Sequence, residues 1–193
     1  MRTLILSALL ALPVAAQTTP AKPAAPAAEP TVGAAMDATY QWVAGGFLAA
    51  AEAMPEDKFD FAPTQGEFKG VKTFAQQVKH VAATNFLLGG LLMGEKPPVA
   101  VGNLEMEMGP DTLKTKAEIL KFAKESFDYV HKALNSITAQ NGSRSIKNPF
   151  GQGPDFTPIG LGTLLGVHSM DHYGQMVEYL RMNGIIPPAS RKK

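Results

Sequence analysis

The chain has 193 residues, 45% apolar and 18% charged, which suits one packed core better than two. Eighteen Lys and Arg against 17 Asp and Glu leave a net charge of +1, so neither a basic nucleic-acid surface nor a charge-driven disordered chain is supported. With no cysteine, disulfides, thiolate metal sites, iron–sulfur clusters and cysteine nucleophiles are all excluded, and any metal must be held by imidazole or carboxylate groups.

The N-terminal residues have the pattern of a targeting segment. Met1-Arg2-Thr3 supplies one positive charge, Leu4 to Leu12 a short apolar run, and Pro13-Val14-Ala15-Ala16 the small residues that suit cleavage after Ala16. The run is about nine residues, well short of the roughly 20 that span a bilayer. Residues 1–16 are therefore expected to be a signal peptide. The mature protein is expected to be periplasmic or secreted, with no stable membrane anchor after cleavage. Residues 17–32, almost entirely Ala, Pro and Thr, are expected to be an extended linker, and 33–193 the folded domain.

From Gly33 onward the apolar spacing is helical, and no sustained period-two run occurs. The first helix is predicted from about Ala34 to Met54, with Tyr40, Val43, Phe47, Ala50 and Met54 on one side, stopping before Pro55. The second, about Val71 to Met93, repeats Phe74, Val78, Val81, Leu88 and Leu92, a stripe interrupted by Asn85. The third opens on the capping-box pattern Thr115-Lys-Ala-Glu118 and is expected to end near Asn141-Gly142. The fourth has Thr157 as N-cap, Pro158 in its first turn and a stop at Asn183-Gly184. An all-α, antiparallel four-helix bundle follows, with connections of roughly 15 to 20 residues that are longer than bundles usually need and are expected to cover one end or carry part of a site.

The four histidines are His80, His131, His168 and His172. His168 and His172, four apart on the last helix, share a face at about 5 to 6 Å between Cβ atoms. At 100° per residue Leu161, Leu165, Met176 and Tyr179 fall within about 80° of His168, so both rings point toward the apolar interior. Buried imidazoles need partners, because an unpaired polar group costs about 1 to 3 kcal/mol, and a shared metal ion would supply them. His80 flanks the stripe of the second helix at a polar seam with Gln77 and Thr84. Three imidazoles from these two helices would leave an open coordination position. Hydrogen-bonded core histidines without metal, with His80 only a flanking residue, account for the same spacings. His131 lies about 70° off its own stripe and is expected to be a bystander.

The run His168-Ser-Met-Asp-His172-Tyr-Gly174-Gln175, continued by Tyr179-Leu180-Arg181 and Gly184-Ile-Ile-Pro187, resembles the last helix of DinB-like proteins. Phe74-Ala-Gln-Gln-Val78-Lys-His80 resembles their metal-ligating second helix, and Phe59-Asp-Phe61-Ala-Pro63 the segment before it. The resemblance covers about Gly33 to Pro188. It implies the DinB/YfiT-like bundle, often dimeric, with His80, His168 and His172 as ligands of a divalent ion. All-imidazole ligation makes Zn or Ni better suited than Fe or Mn.

Around these ligands Asp171, Gln175, Thr84 and Asn85 are candidates for supporting contacts, each about one turn from a histidine. A divalent ion on neutral imidazoles acidifies water or a thiol, so a metal-dependent hydrolase, a thiol S-transferase and a non-enzymatic binding or dimerisation module all remain open, with the small-molecule substrate unknown. Export tilts the choice toward hydrolysis or simple metal binding. Gly160, Gly162, Gly166 and Gly174 are expected to mark close helix approach or room near the metal, and the Glu105-Met106-Glu107-Met108 patch an exposed or lid-like segment rather than a soft-metal site.

Overall fold

The computed structural model describes residues 29–102, 109–151 and 153–192; the expected signal peptide, most of the expected linker and the Glu105–Met108 patch lie outside them. The described residues form four long helices, α1 (Val32–Ala53), α2 (Phe74–Met93), α3 (Lys116–Asn135) and α4 (Pro158–Met182), with no strand beyond a single bridge between Ile146 and Phe156. None of these helices is long and apolar enough to cross a membrane.

Each helix begins on a threonine whose hydroxyl accepts from an otherwise orphaned amide: Thr31 from Ala34, Thr73 from Gln76, Thr115 from Glu118 and Thr157 from Gly160. Thr73 and Thr115 complete capping boxes with Gln76 and Glu118. The Thr73 box starts α2 three residues later than the apolar pattern implies. Helix α3 ends six residues earlier than expected, at Asn135, because Asn141 organises a turn instead of terminating a helix. Its side chain accepts from Thr138 N (2.8 Å) and donates to Ser136 O (2.9 Å).

Helices adjacent in space are not all antiparallel. Helix α1 packs against α3 in the opposite sense, with Gly33 on the carbonyls of Leu134 and Ile137 and Phe47 on Phe127. Helix α2 likewise opposes α4. By contrast α1 and α4 run the same way, Met36 meeting Gly162 and Gly46 meeting Tyr173, and so do α2 and α3, through Asn85 with Ser126 and Gly89 with Tyr129. Because α2 and α3 are parallel, the connection between them must return along the bundle, about 30 Å for a 20-residue helix. Part of that return is clamped to α2. Lys79 Nζ donates to Pro110 O at 3.2 Å, and Gly109, at φ +69°, sits where a Cβ would meet the Lys79 carbonyl oxygen at 2.8 Å. Of the α4 glycines, Gly162 does mark a close approach, whereas Gly166 and Gly174 face open space.

Phe47, Phe74, Leu134, Leu161, Leu165 and Met176 fill the core. Within it Tyr40 Oη donates to Asn85 Oδ1 (2.9 Å), Asn85 Nδ2 donates to Ser126 Oγ (3.2 Å), and Ser126 Oγ donates to Ala123 O (2.7 Å). The amide that breaks the apolar stripe of α2 thus ties α1, α2 and α3 in one register. Replacing Asn85 with Ala removes the acceptor 2.9 Å from the Tyr40 hydroxyl together with the bond to Ser126, and is expected to cost about 1 to 3 kcal/mol in urea unfolding, with a smaller loss for Tyr40→Phe.

Candidate metal centre

Because α2 and α4 are antiparallel, His80 stands opposite both His168 and His172. The ring centroids are 4.9 Å apart for His80 and His168, 4.6 Å for His80 and His172, and 4.7 Å for His168 and His172. His80 Nε2 lies 2.9 Å from His168 Nε2, and one ring nitrogen from each residue falls within 4.8 Å of the others. His80 and His172 are buried and His168 is half-buried. Nitrogens bound at 2.0 to 2.1 Å around a tetrahedral ion are spaced about 3.3 Å, so the His80–His168 pair needs to open by only a few tenths of an ångström. This donor set fits a divalent ion.

Burial pushes the His172 pKa down to about 3, and the neighbouring imidazoles and the Lys72 ammonium push the same way. The ring is therefore neutral, as a ligand must be. Its Nδ1 is in hydrogen-bond contact with Gln77 Oε1, and this amide's orientation is set from further along. Gln77 Nε2 donates to Gln175 Oε1 at 2.8 Å, and Gln175 Nε2 donates to Asp171 Oδ2 at 3.3 Å. A carboxylate only accepts, so it orients both amides in turn, places the His172 proton on Nδ1 and leaves the Nε2 lone pair for the cluster.

Asp171 and Gln175 thus belong to the site's support, but neither reaches an imidazole as helix spacing alone implies, because Gln77 from α2 occupies that place. Gln77, only 1% exposed, is the residue missed by sequence reasoning. Its signal was a position three before His80 on the polar seam, one turn away on the same face. Thr84 lines the adjacent cavity, whereas Asn85 serves the core network described above. His131 is remote from the cluster, its Nδ1 lying 2.7 Å from Asp37 Oδ2 and 2.8 Å from Gln41 Nε2.

The three imidazoles form part of the wall of a cavity of about 570 Å³. Helix α2 contributes Ala83, Thr84, Leu87 and Leu88 to it, and α4 contributes Leu164. The three connections bring Lys72, then Val101 and Gly109, then Phe150 and Phe156.

A family model described as the DinB superfamily matches residues 39–176, most of the chain, including all three histidines. The chain belongs to the DinB superfamily. A crystal structure of a DinB-like protein from Bacillus subtilis superposes with a TM-score of 0.59 at 18% identity, covering 82% of this chain and 99% of the other. One of a DinB-like protein from Bacillus cereus gives 0.58 at 15%, covering 79% and 93%. At these identities the likeness establishes the shared fold, the all-helical bundle read from the sequence. A search of the curated proteins gives no match.

In this DinB-superfamily protein Gln77 is the connection between α4's polar face and the His172 ring. Gln77→Leu preserves side-chain bulk while removing the acceptor for Nδ1–H. It is expected to weaken zinc binding about 10- to 100-fold in competition with a chromogenic chelator, with helical circular dichroism retained.

Proposed function

We propose that this protein is an exported metal-dependent hydrolase that holds a divalent ion, zinc or nickel in preference to iron or manganese, on His80, His168 and His172. The observation that carries this reading is the meeting of three imidazoles from two helices at the wall of an open cavity, with His80 and His168 directing Nε2 atoms at one another over 2.9 Å. When bound, the ion would supply Lewis-acid chemistry, acidifying water or polarising a carbonyl. The chain's own residues supply the rest. The Gln77–Gln175–Asp171 series holds one ring in its ligating tautomer, and Leu87, Leu88, Val101 and Leu164 give the cavity an apolar wall beside the histidines.

Export supports hydrolysis over thiol transfer, since a secreted protein is separated from cytoplasmic low-molecular-weight thiols. The N-terminal pattern supports export, and sequencing of the mature protein is expected to begin at Gln17; an N-terminus at Met1 in the extracytoplasmic fraction would overturn cleavage at this site.

Elemental analysis of protein purified without a metal-affinity tag is expected to show about one zinc or nickel per chain, lost in His168→Ala and in His80→Ala. Metal-free wild-type protein that also fails to take up added zinc would reduce the histidines to core hydrogen-bonding groups and the protein to a helical binding module.

A further inference from the structure

Away from the histidines, the surface shared by α1 and α4 has a composition that does not suit water. Helix α3 gives the contrast: seven of its 20 residues are Lys, Asp or Glu, and its outer face is solvated. Helix α1 has only Asp37, buried against His131, before Glu52, and α4 has no Lys, Arg, Asp or Glu before Asp171. Where the two run side by side, Met36, Thr39, Trp42, Gly162, Gly166 and Val167 border an open groove of about 540 Å³. Trp42, the chain's only tryptophan, is 73% exposed and Val167 is 62% exposed. Val32 and Ile159, each more than a third exposed, continue the strip toward the helix N-termini. Helices with so little charge on their outer sides have the pattern of elements covered on both faces.

We propose that a second copy of this chain covers the α1/α4 face, the two subunits meeting about a two-fold axis with Trp42 at the centre of the contact. A homodimer interface of standard size, about 800 Å² per subunit and about 65% apolar, needs roughly 500 Å² of apolar surface from each partner. Trp42, Val167, Ile159 and Val32, with the half-buried Met36 and Met170, leave on the order of that area in water. A two-fold contact also requires a surface that fits itself. This one carries a projecting indole and, beside it, a groove floored by Gly166, where a Cβ would meet only open space. Other occupants suit it less well. Residues 17–28 hold no apolar side chain larger than proline, and a lipid surface calls for a basic rim, whereas α1 has no Lys or Arg and α4 none before Arg181. On α4 the groove residues lie on the side opposite Leu164, His168 and His172, so the pairing leaves each histidine cavity open and does not depend on a bound ion.

The test is sedimentation of the full-length mature protein from about 1 to 100 μM, with Trp42 emission recorded at the same concentrations. The mass is expected to double with concentration, and the emission to shift to the blue with the same midpoint, since one fluorophore reports the contact itself. Val167→Lys and Trp42→Lys, both at exposed positions, are expected to keep helical circular dichroism and weaken association about 30-fold or more, with the blue shift lost in Val167→Lys. Should either variant lose helicity, Thr163→Lys, at another exposed position on the groove, takes its place. A monomer throughout the range overturns the proposal, as does a dimer indifferent to these substitutions or one whose Trp42 emission does not move. A monomer with already shifted emission, or association only with neutral lipid vesicles, overturns it too and assigns the face to an apolar ligand, to the chain's own N-terminal residues or to a membrane surface.

Discussion

An imidazole can donate a lone pair from one nitrogen only if its proton resides on the other, and in this bundle that condition is met by a neighbouring helix. His172 lies on α4, while the amide at its Nδ1 lies on α2 and is itself aligned by Gln175 and Asp171 back on α4. The relay crosses the helix interface twice. Its geometry therefore exists only when α2 and α4 pack antiparallel in one register, and a slip of one turn, about 5.4 Å, would dismantle it. The same register brings His80 to the other two rings. Since Gln77 is almost wholly buried, losing its partners would also carry a desolvation cost, so the contacts that prepare the site help to select the packing that creates it.

On the other side of α2 the same device recurs in neutral form. Asn85, wholly buried, joins Tyr40 of α1 to Ser126 of α3. Helix α2 is thus pinned by polar contacts on two sides, one facing the core and one facing the histidines. Between them lies a close-packed apolar interior that would accept several registers on hydrophobicity alone.

Much of this was legible in the chain. Apolar periodicity located the four helices, and the threonines at 115 and 157 marked two of their starts. The His168/His172 spacing, set inside an apolar stripe, marks the site in the sequence itself. What escaped was information held between elements. Gln77 is an ordinary amide on a polar seam until α4 is laid beside it. The boundary at Asn135 depends on Asn141 bonding back to Ser136, a local competition that periodicity does not register. Whether neighbouring helices run parallel or antiparallel is a property of the three connections, and their lengths hinted at it without specifying which pairs agree.

The cavity wall has a divided origin. Its imidazoles project from two rigid helices, whereas Lys72, Val101, Phe150 and Phe156 arrive on three separate crossovers. Exchanging a connection would therefore alter the cavity's lining while sparing the histidine-bearing helices, so that the cluster and the surface around it are free to evolve along different stretches of the polypeptide.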